Sequence, residues 1–174
     1  MEKKSALFRA KRIDWENFPK EHWWVCGNVI EDGVTGKTYI HLRGNEVNES
    51  DKANEEGCLA FVAIEVIPET LSSFTGKMQE GQELFENHIL VDDEEGDIVH
   101  VRWDEESCAF VLDFYGIAGM LTESGWDETA GGFKCYDTYE FTNFSSLDFL
   151  RLIGNSFDNH EFLEGKYYGM LSEY

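Results

Sequence analysis

The chain has 174 residues and a formal net charge of −21, from 35 acidic and 14 basic residues. Such an acidic protein is not expected to bind nucleic acid or an anionic membrane directly, because both need a positive surface that displaces counterions. Aromatic residues make up 14% of the chain and only 2 prolines occur, which indicates a folded protein rather than a disordered one. The length suits one domain, residues 1–174, or two β subdomains of about 1–67 and 68–174 that share a core.

The charge is distributed unevenly along the chain. Residues 1–12 carry a net charge of +4, from Glu2 and the basic residues Lys3, Lys4, Arg9, Lys11 and Arg12. The remainder therefore carries −25. We interpret residues 1–12 as a basic arm that favours contact with a second copy, with a solvated tail as the alternative. Because the edges of an open sheet also need cover, the protein is predicted to be a homo-oligomer.

The first clear element is a β-hairpin. Strand-like runs at 22–30 and 37–42 are separated by a polar, glycine-containing turn at 31–36. Its GVTGKT sequence is similar to a phosphate-binding loop, but Glu31 stands where that loop needs glycine and no helical pattern follows. Residues 44–57 are polar and acidic, and they are predicted to form a mobile loop because they can bury little surface.

The centre of the chain predicts a buried strand followed by a stop. Residues 61–67 form an apolar, mostly β-branched run, which is typical of a strand covered on both faces. Pro68 ends it, and residues 69–73 can form at most a short helical turn that Gly76 closes. Two further strands are expected on either side of a bend at 86–87.

This central stretch also carries a family motif. The segments VIPET at 66–70, FTGK at 74–77 and GQELFE at 81–86 follow in order a pattern close to VxPETxxxFTGLxDxxGxEIxEGDIV. With them the chain resembles the YopX-like family of phage and prophage proteins. Further segments agree with the family in the same order: FRA at 8–10, VRWD at 101–104, IGN at 153–155 and NHEFLE at 159–164.

The resemblance implies a phage or prophage origin and a location in the cytoplasm of a bacterial host. It covers most of the chain, except residues 44–57 and 113–140, and it favours a strand at 150–155. The family has no assigned activity, so the resemblance implies no reaction. The family's Gly-Asp is replaced here by Asn87-His88, and a site marked by that Gly-Asp would be missing from this chain.

An acidic hairpin tip is predicted between strands at 88–91 and 98–103. Clustered carboxylates suit calcium, but the spacing and the helices of an EF-hand are absent. We interpret the tip as a candidate partner-binding surface, with a solvated turn as the alternative. Its residues are Asp92, Asp93, Glu94, Glu95 and Asp97.

The remaining pattern is also that of strands. Val99, Val101 and Trp103 alternate with polar residues, and 108–112 supplies a partner strand. The glycine- and aromatic-rich stretch 114–141 predicts a loop or hairpin over the sheet, ending in a strand at 136–141. The predicted fold is therefore mainly β, with curved, barrel-like antiparallel sheets that share the strand 61–67 and a few short helical turns, one of them near 161–163.

No catalytic residue, metal site or cofactor is predicted. The five histidines form no metal-binding motif, and no nucleophile lies in a recognisable motif. The four cysteines, Cys26, Cys58, Cys108 and Cys135, contain no CxxC pair and are expected to be buried, reduced thiols. No secretory or transmembrane segment is recognised, so the protein is expected to be cytosolic.

Three functions remain at this point. The first is a phage-derived protein that acts through protein–protein contacts, as a homo-oligomer and with a host protein partner. The second is an acidic mimic of DNA that blocks a basic host protein, which needs carboxylates ordered at phosphate-like spacing on one face. The third, and least favoured, is an enzyme of unknown type.

Overall fold

The computed structural model confirms a mainly β protein. It describes five stretches of the chain: residues 7–42, 62–117, 120–127, 131–144 and 146–165. Every strand pair whose register is described is antiparallel, and the helical residues of these stretches are confined to 3₁₀ turns. The chain divides into two compact units, Met1–Phe74 and Thr75–Tyr174, which are described separately below.

The first unit is built on short strands joined by turns. The strands are β1 (Phe8–Lys11), β2 (Trp24–Glu31), β3 (Thr38–Leu42), β4 (Ala63–Glu65) and the start of β5 (Ser72–Gln79). The 3₁₀ turns are Trp15–Asn17, Lys20–His22 and Pro68–Thr70. In hydrogen-bonding order the sheet runs β4-β3-β2-β1-β5 and continues to β6 (Gln82–Phe85). The predicted hairpin is confirmed as β2 and β3, and Gly36 in its turn has a φ of +70°.

This sheet curls back on itself. β1 and β4 are three places apart in the strand order, yet an isolated antiparallel bridge joins Arg12 to Val66. The N–H of Ile13 donates to the carbonyl of Glu65 at 3.1 Å beside this bridge. The predicted curvature is therefore present here, although the described part of the sheet is not a closed barrel because the link lies outside the named strands.

The predicted central strand at 61–67 needs correction. Phe61 lies outside the described residues, and β4 stands at the end of one sheet rather than being shared by two. Ile64 is buried, whereas Ala63 is exposed and Glu65 forms an ion pair with Lys37 at 2.8 Å. The strand therefore buries only one face, because its other face carries this solvent-facing ion pair.

The predicted basic arm is also wrong for residues 8–12. β1 lies between β2 and β5, so these residues belong to the interior of a sheet. Lys11 is only 9% exposed, and its Nζ lies 4.1 Å from the ring centroid of Trp15 and 4.6 Å from that of Trp23. The Lys11 charge is thus held by cation–π contacts instead of being presented to a partner. Lys3 and Lys4 lie outside the described residues.

The neighbouring arginines are held in the same way. The guanidinium of Arg12 lies 3.6 Å from the ring centroid of Phe18, and its Nε donates to Asp14 at 3.0 Å. The guanidinium of Arg9 lies 4.5 Å from the ring centroid of Trp24. Cation–π contacts thus join the basic residues at 9, 11 and 12 to aromatic side chains of the segment 15–24 that follows.

The second unit contains a five-stranded sheet and a small hairpin. Its strands after β6 are β7 (His88–Asp92), β8 (Ile98–Asp104), β9 (Ala109–Ile117), β10 (Met120–Thr122), β11 (Gly125–Asp127), β12 (Phe133–Glu140) and β13 (Leu150–Asn155). The large sheet has the order β12-β9-β8-β7-β13, and β10 pairs with β11. The 3₁₀ turns are Phe141–Asn143 and His160–Phe162.

Several predicted elements of this unit are confirmed. The bend at 86–87 separates β6 from β7, where Asn87 has a φ of 66° and its N–H donates to the carbonyl of Val101 at 2.8 Å. The strand at 150–155 is β13, and β8 and β9 form the predicted meander. Gly76 does not close a turn as predicted; β5 runs through it as strand.

The five-stranded sheet buries residues on both faces. One face carries the larger core, which includes Leu90, Val99, Val101, Leu112 and Phe114. The other carries a smaller cluster of Ile89, Val91 and Ile98. Since neighbouring residues of a strand face opposite sides, the residues that alternate with the larger core form a second, partly polar face.

Candidate functional site

The β7–β8 hairpin places the predicted acidic tip in two environments. Asp92 and Asp97 are buried, whereas Asp93, Glu94 and Glu95 are exposed. Asp92 Oδ1 accepts hydrogen bonds from the N–H groups of Glu94 at 2.8 Å and Glu95 at 3.1 Å. Asp92 therefore fixes the shape of the turn, as aspartate side chains commonly do.

Two further aspartates connect this tip to the sheet. Asp97 accepts a hydrogen bond from the hydroxyl of Tyr136 on β12, and Asp93 pairs with Arg151 on β13 at 3.0 Å. Of the five candidate residues, Asp92, Asp93 and Asp97 use their carboxylates in hydrogen bonds or an ion pair within the chain, and the exposed Glu94 and Glu95 are the remaining two. In the described part of the chain, no group of three or more His, Cys, Asp or Glu side chains is arranged to hold a metal ion.

A second acidic turn lies at the opposite end of β8. It contains Asp104, Glu105 and Glu106, and the seven residues of β8 separate it from the first tip by about 23 Å. The N–H of Ser107 and the guanidinium of Arg102 both donate to Asp104, and these bonds lower the pKa of that carboxyl to about 2. The two acidic turns therefore do not form one continuous row of carboxylates. Residues 44–57 lie outside the described part of the chain.

A polar network lies on the face of β8, β9 and β12 opposite the larger core. Arg102 Nε donates to Asp113 Oδ2 at 2.8 Å, and Thr138 Oγ1 donates to Asp113 Oδ1 at 2.7 Å. Asp113 is buried at 6% exposure, whereas the Arg102 side chain is 40% exposed. The Asp113 and Asp104 hydrogen bonds raise the pKa of Arg102. This network ties three neighbouring strands together.

His100 lies beside this network, directly opposite Asp113 in the strand register. Its Nε2 is buried and has no hydrogen-bond partner among the described residues. Burial lowers the pKa of His100, and Arg102 acts in the same direction although Asp113 opposes both. Both oxygens of Asp113 already accept hydrogen bonds from Arg102 and Thr138. The arrangement therefore favours a neutral imidazole with one unsatisfied ring nitrogen.

The thiol of Cys135 is not activated as a nucleophile. Burial raises the pKa of the Cys135 thiol, whereas a catalytic thiol needs a lowered pKa. Cys108 and Cys135 are exposed and Cys26 is half-buried, so the prediction of buried thiols is wrong for the first two. Cys108 occupies the β8–β9 turn at a φ of 51°, and Cys135 lies on the end strand β12. Cys58 lies outside the described residues.

The face of the larger core carries an aromatic surface at the end of the sheet near the β8–β9 turn. We define this aromatic surface as Trp103, Phe110, Tyr139 and Phe144. Trp103 packs edge-to-face against Phe110 at 4.9 Å between ring centroids, and Tyr139 packs against Phe144 at 5.8 Å. Trp103 is 40% exposed and Tyr139 39% exposed, whereas Val99, Val101 and Leu112 on the same face belong to the buried core.

The amino-acid pattern does not predict this surface. Alternation along the strand predicts that Trp103 lies on the buried face, and Trp103 does share a face with Val99 and Val101. The pattern does not show that Trp103 stands at the end of its strand, where the core no longer covers that face. One signal of an exposed face is present on β12: Asp137 and Tyr139 are two residues apart and therefore lie on the same face of the strand.

Comparison with known proteins adds no relative: no protein-family model matches the chain, and no curated protein matches it. None of the helical turns in the described part of the chain has the length and apolar character needed to cross a membrane.

Proposed function

We propose that the chain is a phage- or prophage-derived protein of YopX-like type that acts in the cytoplasm of a bacterial host by binding another protein. The motif at 66–86 supports the origin, and the aromatic surface supports the mode of action. The polar network around Asp113 gives no support to catalysis, because its charged groups are satisfied by one another.

The single observation that carries protein binding is the exposure of Trp103 and Tyr139. A tryptophan that is 40% exposed leaves a large apolar area in water, and nothing in the described residues covers it. Aromatic side chains grouped on a surface are typical of protein–protein contacts, where tryptophan and tyrosine contribute much of the binding energy. The aromatic rings beneath them hold both side chains in place, which lowers the entropic cost of binding.

The occupant in this proposal is a second copy or a host protein. A second copy can cover the surface about a two-fold axis, because the same patch then serves on both subunits. A net charge of −21 opposes such self-contact. The two described acidic turns lie at opposite ends of β8, and the third acidic segment, 44–57, lies outside the described residues, so no observation favours an acidic mimic of DNA.

Site-specific photo-cross-linking tests the proposal. A photoreactive phenylalanine analogue is placed at position 103 or 139, and the protein is irradiated in bacterial cytoplasm. We expect a covalent adduct from these positions and none from position 157, where the native Phe157 is similarly exposed at 37% but lies elsewhere. The mass of the adduct and light scattering of the pure protein distinguish a second copy from a host protein. Adducts no more abundant at 103 and 139 than at 157 refute protein binding through this surface.

A further inference from the structure

The aromatic surface has an acidic border. On its side of the sheet, Asp137 is half-buried beside Tyr139, and Glu105 and Glu106 are exposed in the β8–β9 turn; the exposed Lys134 lies toward the far end of β12. Arg102 belongs to the opposite face, where Asp113 and Asp104 engage its guanidinium. We infer that the aromatic surface binds a basic segment of a partner protein, whose arginine or lysine side chains lie over Trp103 and Tyr139; this inference rests on the proposed function.

Asp137 and Tyr139 form the best-defined part of this border. The Tyr139 hydroxyl donates to Asp137 Oδ2, and the N–H of Thr138 donates to Asp137 Oδ1 at 2.9 Å. The carboxylate is therefore held beside an exposed aromatic ring. A cation over the ring gains from the negative face of the aromatic system and from the neighbouring carboxylate together.

The Trp103 end of the surface is similar. Glu105 and Glu106, both exposed, follow Trp103 in the β8–β9 turn. Hydrogen bonds from Ser107 to Asp104 fix this turn, at 2.9 Å from the N–H and 2.8 Å from the hydroxyl. Tryptophan is the most effective aromatic partner for a cation, and two exposed carboxylates follow Trp103 within three residues of the chain.

The register gives the spacing of the two rings. Trp103 pairs with Phe110 and Tyr139 pairs with Leu112, on opposite sides of β9. Two residues along a strand and two strand spacings across correspond to about 12 Å between the two Cα atoms. In an extended peptide, residues four positions apart are separated by about 13 Å. An extended segment with two cations four positions apart therefore fits the surface.

Fluorescence anisotropy with three labelled nonapeptides of Gly, Ser and Val tests this inference. The peptides carry arginine, glutamine or glutamate at two positions four residues apart. We expect the arginine peptide to bind most tightly, with affinity that falls as salt rises. The Trp103→Ala substitution should weaken its binding about tenfold, as should the joint substitution Glu105→Gln and Glu106→Gln.

The joint substitution Glu16→Gln and Glu21→Gln is the matched control, because it removes the same charge from two exposed side chains on the 3₁₀ turns of the first unit. We expect it to change binding less than twofold; an equal loss from the two joint substitutions would mean general attraction to the acidic chain and would overturn the inference. Equally tight, Trp103-dependent binding of the glutamine peptide also overturns the inference but leaves the proposed function standing. Absence of Trp103-dependent binding of every peptide overturns the inference, and the cross-linking experiment then decides the proposed function separately.

Discussion

The half-buried His100, whose Nε2 is buried, provides a quantitative test of the second unit. Replacing His100 with phenylalanine removes the ring nitrogen that has no partner among the described residues and keeps an aromatic ring at the position. An unsatisfied buried polar atom costs about 1–3 kcal/mol of stability. The phenylalanine ring is larger than imidazole, and the strain of fitting it into the same space offsets part of that gain. We therefore expect the free energy of unfolding at pH 8 to rise by about 1 kcal/mol, although most core substitutions lower it.

The same substitution should change the pH dependence of stability. Burial lowers the pKa of His100 below its ordinary value of 6.5, so the unfolded chain gains a proton at a higher pH than the folded chain does. The contribution of neutral His100 is complete above about pH 6.5 and is lost as the pH falls toward the lowered pKa, by up to about 1.4 kcal/mol per pH unit. His100→Phe lacks this loss, so its advantage over the wild type should widen as the pH falls from 7 to 5.

Urea unfolding followed by circular dichroism between pH 5 and pH 8 measures both effects. Carboxylates titrate in both proteins, so the difference between them isolates His100. His160→Phe is the control, because the His160 side chain is 67% exposed. A difference between His100→Phe and wild type that stays constant over this range, or a variant less stable than wild type at pH 8, would refute the reasoning.

Three further predictions follow from the described contacts and from charge. Asp113→Ala should lower the free energy of unfolding by about 2–3 kcal/mol in the same urea assay, less than for a fully buried ion pair because the Arg102 side chain is 40% exposed; no loss would contradict the network. Gly154→Ala should lower the free energy of unfolding by about 1–3 kcal/mol, since the new Cβ would overlap with Asn159 Oδ1, and adding Asn159→Gly should recover part of that loss. Removing residues 1–6 leaves β1 complete and takes away the charges of Lys3 and Lys4, so it tests whether these charges support a homo-oligomer. We expect light scattering to give fewer subunits per particle for the truncated protein, whereas a wild type that is monomeric at every concentration refutes the homo-oligomer.

The local features of the fold could be predicted from the sequence because they depend on neighbouring residues. The hairpin of β2 and β3 follows from two alternating runs around a glycine-containing turn, and the bend at 86–87 follows from a polar step between apolar runs. The period of two residues identifies a strand wherever one side is buried. This is why the fold class and most strands were predicted correctly.

The errors concern what lies beside each strand. The apolar run at 61–67 does not reveal that β4 ends a sheet, and the charges of residues 8–12 do not reveal the aromatic rings of Trp15 and Phe18 that hold them. The orphaned nitrogen of His100 likewise depends on a register with Asp113 thirteen residues away. Such features follow from pairing between distant segments, which a single sequence does not specify.

The contacts that the basic side chains make within the chain indicate the charge that a partner must carry. The four described arginines are each held by a carboxylate or an aromatic ring: Arg9, Arg12, Arg102 and Arg151. Lys11 and Lys37 are held in the same manner. Six of the nine basic residues in the described stretches are thus engaged within the chain. A partner that neutralises the excess of carboxylates must therefore supply its own positive charge, and the aromatic surface is where such charge gains most from contact with the rings.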